Sequence, residues 1–229
     1  MKKLVLLFIA FILVAGLCFA QEEDGETQQN RDKLNLEVLI GVPVHWTTSP
    51  APHDFLEENE MDRTVTSSTS IGFALTYNFS KKIGVMLDID VFVGSDVMGN
   101  SPTNSYSSSL FGANALLGPV IYLYNGSFLR VPLAIGVHAY YWSSDHWSEW
   151  GTGAGNGDWI KIKDLQVGLG LSLGIQFHFN DRLYMFSRTN VAFDFFRMHS
   201  VVFSGEEESC RGMEIGWMVK PALGVGVKF

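Results

Sequence analysis

The sequence predicts an all-β protein, an eight-stranded antiparallel up-and-down transmembrane barrel. Three observations carry that prediction. Apolar residues alternate strictly with small or polar ones over runs longer than an ordinary strand. Long and short connections between those runs alternate as well. No Asp, Glu, Lys or Arg falls on the apolar face of any run, in a chain that is 17% charged. Period-two alternation is the signature of a strand with two unlike faces. Strands of soluble proteins run about five or six residues, whereas a tilted strand that crosses a bilayer needs roughly nine to eleven. A charge on a lipid-facing position costs roughly 2–4 kcal/mol for Arg or Lys at mid-bilayer, which is the physical reason to exclude it.

The clearest run closes the chain, from Met213 to Phe229. Ile215, Trp217, Val219, Pro221, Leu223, Val225, Val227 and Phe229 share one face. Gly216, Met218, Lys220, Ala222, Gly224, Gly226 and Lys228 share the other. At the opposite end, Lys2 and Lys3 precede an apolar stretch from Leu4 to Leu17 and a cleavage site around Cys18-Phe19-Ala20. Residues 1–20 therefore read as a signal peptide, so the chain is expected to be exported. Processing at Cys18 as a lipoprotein is the competing reading, against which Leu17 stands where a small residue belongs. Residues 21–32 are polar and read as a disordered periplasmic segment before a barrel domain over 33–229. Beyond Cys18 only Cys210 remains, which allows no internal disulfide. A net charge of −8 argues against a nucleic-acid partner, which wants a basic stripe.

The strands follow in order. The first runs from Leu34 to Trp46, with Leu36, Val38, Ile40, Val42 and Val44 outward and Asn35, Glu37, Leu39 and His45 inward. An acidic loop, Thr47 to Arg63, leads to the second, with Ile71, Phe73, Leu75 and Tyr77 outward. After the short Ser80-Lys81-Lys82 turn, the third puts Val85, Leu87, Ile89 and Val91 outward and Asp88 and Asp90 inward. A Ser/Asn/Gly loop, Ser95 to Ser108, precedes the fourth, whose inner face is partly apolar through Leu110, Leu116, Val120 and Tyr122. Asn125-Gly126-Ser127 is a tight-turn signal. The fifth strand runs Leu129 to Tyr141, with His138 and Tyr140 inward, and a loop rich in Gly and Trp, Ser143 to Trp159, follows. The sixth runs Leu165 to Phe179, turning at Asn180-Asp181. The seventh, Leu183 to Phe195, points Arg188, Asn190 and Asp194 inward, and Arg197 to Gly212 reads as the last long loop.

A soluble sandwich or lipocalin-like barrel shows the same alternation with its faces inverted. Its water-facing side would be rich in Lys, Glu and Thr, yet the second face here is full of Gly and Ala with sparse charges. Aromatic residues also fall at two levels. Tyr77, Phe79, Phe177, Phe179 and Phe229 lie at the turn end, and Trp46, Phe111, Tyr141, Phe195 and Trp217 at the loop end, where two headgroup belts belong.

Phe229, with Val227 and Val225 two and four places earlier, resembles the C-terminal sorting signal of bacterial outer-membrane barrels. Residues 33–229 resemble the small eight-stranded outer-membrane barrels of the OmpX and OmpW type. That likeness rests on architecture and the closing Val225-Gly226-Val227-Lys228-Phe229. Leader and loop composition are similar to small barrel proteins of spirochaetes. The resemblance implies an outer-membrane location, with membrane lipids and the barrel assembly machinery as partners. A monomer is expected.

Candidate chemistry lies inside the ring. Glu37, Arg188 and Lys220 fall on neighbouring strands near mid-height, and with Asp88, Asp90 and Asp194 they form the expected lumen charge network. Arg130, Asp164, Arg182, Glu214 and Lys228 are the other inward charges. Charges so placed must be paired or wet. An eight-stranded ring is just wide enough for side chains to fill, so open diffusion is disfavoured. His45, His53, His138, His146, His178 and His199 show no metal spacing, and no Gly-x-Ser-x-Gly elbow occurs. His53-Asp54 and Asp145-His146 read as solvated loop residues, as do Asp54, Glu57, Glu58, Glu60 and Asp62, which lack the spacing of a Ca²⁺ loop. Gly151 to Gly157 joins two strands and is no phosphate cradle, and Trp147, Trp150 and Trp159 beside it suit adhesion or headgroup contact. Neither a cofactor nor catalysis is expected. The leading functional expectation is an adhesin-like surface protein with a filled lumen and four long loops, for which host or neighbouring surface proteins are candidate partners. The alternative is a narrow channel for small or hydrophobic solutes. A barrel-embedded lipid-modifying enzyme is the third reading.

Overall fold

The computed structural model describes residues 33–47, 64–98, 106–148, 158–180, 182–203, 206–213 and 215–229. Ten strands form one antiparallel sheet: β1 (Leu34–Gly41), β2 (Val44–Thr47), β3 (Thr64–Asn78), β4 (Ile83–Met98), β5 (Tyr106–Asn125), β6 (Leu129–Ser148), β7 (Asp158–His178), β8 (Leu183–Phe203), β9 (Glu206–Gly212) and β10 (Gly216–Lys228). They make eight staves, with β1 and β2 as the first and β9 and β10 as the last. Because β1 pairs with β3 on one side and β10 on the other, the sheet closes and leaves no open edge along the barrel. Proline divides the first stave, since Pro43 has no N–H for the ladder. Backbone bonds from Val42 N to Pro221 O (3.0 Å) and from Ser68 N to Pro43 O (3.2 Å) hold the chain across that break.

Short turns join β3 to β4, β5 to β6 and β7 to β8 at one rim. Side chains cap two of them. Ser80 Oγ accepts from Lys82 N and Ile83 N, each at 3.2 Å. Asn180 Oδ1 accepts from Arg182 N and Leu183 N, each at 2.8 Å. Phe229 N donates to Leu34 O at 2.8 Å on the same rim, so the closing residue sits beside the first strand.

Alternation sorts the side chains as the sequence predicts. Leu169 is 56% exposed and Leu223 66%, and both point away from the ring. So do Val38, Ile40, Phe73, Val91, Ile135, Leu171 and Val225. An apolar surface this extensive needs hydrocarbon against it. Trp46 lies opposite Trp217 across the ladder, and Phe193 meets Trp217 edge-on at 4.6 Å. From Trp217 to Phe229, at about 3.3 Å per residue and a tilt near 40°, the wall rises about 30 Å, the thickness of a hydrocarbon core.

Inside, three small clusters of apolar side chains interleave with polar tiers. Phe92, Leu110, Tyr140, Trp142, Ile162, Ala192 and Met218 fill the loop half. Met86, Leu116, Val120, Tyr122 and Ala134 form a second cluster, and Leu39, Tyr184, Phe186 and Ala222 a third. Thus the apolar inner face of β5 is packed. Glycine makes room for the rings. A Cβ on Gly112 would strike the Phe92 ring, and one on Gly226 would strike that of Tyr184.

Several expectations need correction. Arg197 to Gly212 is not a loop: β8 runs on to Phe203 and pairs with β9 from Arg197↔Gly212 to Phe203↔Glu206. Cys210 accordingly lies in a strand, opposite His199. Strands also reach into the other expected loops, with β4 extending to Met98 and β6 to Ser148. Arg182 is exposed in a turn and does not face the lumen. The signal peptide with Cys18, the 21–32 segment, His53, Asp54, Glu57, Glu58, Glu60, Asp62, Trp150, the glycines from 151 to 157 and Glu214 lie outside the described residues, as do the side chains of His146, Trp147, Trp159 and Cys210.

Candidate functional site in the barrel lumen

Polar side chains inside the ring form three tiers. Their order along β8 follows Arg188, then Asp194, then Arg197 and His199.

The first tier contains Glu37, Asp88, Asp90, Arg188 and Lys220, all buried. Arg188 reaches Glu37 through one terminal nitrogen and Asp88 through the other, the latter at 3.2 Å. Its guanidinium also stands 4.9 Å from the centre of the Phe186 ring. Lys220 is paired with Asp90 and lies 3.6 Å from Asp88. Three carboxylates thus face two cations, and neutral donors share the remaining negative charge. Asn190 donates to Asp88 at 2.9 Å and Asn114 to Asp90 at 2.8 Å. Gln176 and Tyr184 donate to Glu37 at 2.9 and 3.0 Å. A buried carboxylate with several donors is the arrangement under which burial of charge is tolerated.

Topology gives these bonds their meaning. Counted round the closed ring, β4 and β8 are four staves apart, on opposite walls. The Arg188–Asp88 and Asn190–Asp88 contacts therefore cross the full bore. Beside Arg188 a cavity of about 10 Å³ remains, lined in part by Thr76, Tyr122 and Gln176. That is room for about one water.

The second tier is Asp194 with two histidines. His138 Nδ1 lies 2.9 Å from one carboxylate oxygen and His45 Nε2 3.6 Å from the other. Tyr140 stacks on His45 at 4.4 Å and on Phe92 at 5.0 Å, locking both rings. Strand parity alone groups Asp194 with Arg188 and Lys220; the structure pairs it with these histidines. Among the described residues, no group of His, Cys, Asp or Glu is arranged to hold a metal ion.

The third tier lies at the loop rim. Arg197 holds Asp164 through Nε (2.6 Å) and a terminal nitrogen (2.5 Å), and His199 Nδ1 stands 3.4 Å away. Parity along β8 conceals this tier: Asp194 and Arg197 both face inward although an odd step separates them. A bulge, where Phe196↔Val167 is followed by Asp194↔Gly168, shifts the phase. Asp164 is identifiable as inward from sequence, but its partners are not. At the C-terminus, Val225 and Phe229 are exposed on the outer wall and Val227 is half-buried there.

No protein-family model and no curated protein matches the chain by sequence. Solved structures do match its fold. The outer-membrane protein OprG from Pseudomonas aeruginosa aligns with a TM-score of 0.54 at 16% identity, covering 84% of this chain and 96% of that one. The outer-membrane protein AlkL in lipid bilayers aligns at 0.54 and 14% identity, covering 89% and 93%. A major outer-membrane protein from Thermus thermophilus aligns at 0.51 and 11%, covering 85% and 99%. Fold and apolar belt together mark a small eight-stranded barrel of the outer-membrane type.

Proposed function

We propose that this chain is a sealed outer-membrane barrel that works at its outer rim. On this reading the lumen tiers are a structural plug, and the long connections contact host or neighbouring surface proteins. One observation supports it above others: Arg188 and Asp88 touch from opposite walls, with Lys220, Glu37 and Asp90 packed around them. A solute moving down the axis would have to break buried ion pairs, and breaking one strands a charge at about 3–5 kcal/mol. The apolar inner wall of β5 also favours filling over conduction, because Leu110, Leu116 and Val120 are packed against other side chains.

Recording in planar bilayers tests the plug. Purified protein should add no steady conductance, and opening by Asp88→Ala or Lys220→Ala should be needed to produce steps. Reproducible unit conductance from the wild-type chain, altered in either variant, would replace the plug with a narrow channel for small solutes. Surface protease access on intact cells tests the outer rim: cleavage should fall in the long connections and leave the staves intact.

A further inference from the structure

We propose that the recess on the outer wall beneath the β8–β9 hairpin binds the phosphate of an anionic lipid headgroup in the outer leaflet. This inference does not depend on whether the lumen conducts.

Register across β6, β7, β8 and β9 places side chains in rows on the outward face. Tyr141, Leu165, Met198 and Arg211 form one row. Lys163, Ser200 and Ser209 belong to the next, and Asp145, Lys161, Val202 and Glu207 to the one beyond. The same face that carries lipid-facing Leu171 and Leu169 thus turns cationic just above Tyr141, within the loop-end aromatic belt. A recess of about 450 Å³ opens there, lined by Lys163, Met198, Glu207 and Arg211 and reaching Asp164 and His199 of the third tier, where Arg197 already pairs the Asp164 carboxylate.

Charge distinguishes this patch from the rest of the chain. Net charge overall is −8, yet these rows hold Lys161, Lys163 and Arg211 against Asp145 and Glu207. Lys161 lies 3.6 Å from Asp145, and Lys163 lies 3.4 Å from Glu207. Arg211 is exposed and has no ion pair or hydrogen bond among the described residues. A guanidinium presents paired donors that match a phosphate, and the Ser209 hydroxyl stands in the adjoining row to complete its shell, whereas that of Ser200 is engaged by Glu207. Met198, Leu165 and Tyr141 supply an apolar floor continuous with the belt, which suits the acyl end of the same molecule. That continuity selects a lipid over a free anion. Glu207 is the competitor for Lys163, so removing its charge frees a second cation.

The test uses full-length folded barrel in mixed micelles of phosphatidylglycerol and phosphatidylcholine, with retained lipid counted by native mass spectrometry. Wild-type protein should retain phosphatidylglycerol in preference. Arg211→Ala combined with Lys163→Ala should reduce that preference roughly tenfold, and Glu207→Gln should raise it. Lys82→Ala, an exposed lysine on the opposite rim, should leave it unchanged. Equal loss with Lys82→Ala, or no loss in the double variant, would overturn the site, as would a fall with Glu207→Gln. Displacement of the lipid by millimolar inorganic phosphate would overturn the lipid assignment in favour of a free-anion site.

Discussion

Arg188 holds the first lumen tier together, because it alone touches carboxylates from two other staves. Arg188→Ala leaves Glu37 and Asp88 buried with less compensation, and the expected cost is about 3–5 kcal/mol. Removing the stranded charges as well, with Glu37→Gln and Asp88→Asn, should recover most of that loss. The readout is the temperature at which the fast-migrating folded band disappears on a gel; a single variant as heat-resistant as wild type would show that the tier contributes no stability. Gly112 makes a second case at this scale. Valine there meets the Phe92 ring and the Tyr141 backbone carbonyl oxygen, each 2.3 Å from its Cβ, so it must both push the ring off Tyr140, which in turn stacks on His45, and shift β6, at about 1–3 kcal/mol for overpacking. Adding Phe92→Leu to Gly112→Val should restore only part of the heat resistance, because the Tyr141 carbonyl stays in the way; no recovery at all would place the whole cost in the backbone. Strand parity is enough to send Glu37, Asp88, Asp90, Arg188 and Lys220 inward from sequence. It is not enough to pair them, since cross-bore contacts depend on the stagger of the closed sheet. Asp194 illustrates the limit: it lies about 20 Å farther along β8 than Arg188, beyond that tier's reach.

The β8–β9 hairpin is the element least legible in the sequence, and the reason is its solvent. Within the bilayer one face must be apolar, so alternation is strong. Above it that constraint lapses, and Glu206 to Gly212 shows no period-two pattern to detect. The same loss of signal hides the start of β5, Tyr106 to Ser109, and the end of β6. Only pairing with β8 reveals β9. A side-chain clasp joins this hairpin to β7. A hydrogen bond with Ser200 and the nearby Lys163 ammonium hold the Glu207 carboxyl below the usual carboxylate range. A lowered folded pKa means the clasp is fully formed above the ordinary glutamate range and is lost as pH falls through the lowered value. Amide exchange in β9 should therefore accelerate at acid pH relative to β7. Glu207→Gln should remove that pH dependence; an unchanged acid response in the variant would assign it to another group.

At the scale of the whole molecule, the medium outside the ring decides the fold. Three observations agree on hydrocarbon: an outward face without charge between the belts, two aromatic levels about 30 Å apart, and polar tiers enclosed within the ring. Water outside would leave Val38, Ile40, Leu169 and Leu223 exposed with nothing to cover them. Depth then sets the cost of a charge. Leu171 pairs with Ile135 and Val191 midway up the wall, far from either belt. Leu171→Arg should lower folding stability in vesicles by roughly 2–4 kcal/mol, whereas an arginine at Phe179, on the turn rim, should cost roughly 0–1 kcal/mol. Equilibrium folding into vesicles across a urea series measures both. An inward control, Ser172→Ala, changes a neighbouring buried position without putting charge into lipid and should fall below the Leu171→Arg cost. Equal costs at Leu171 and Phe179 would mean that no depth gradient exists, and the apolar face would then have to be covered by protein.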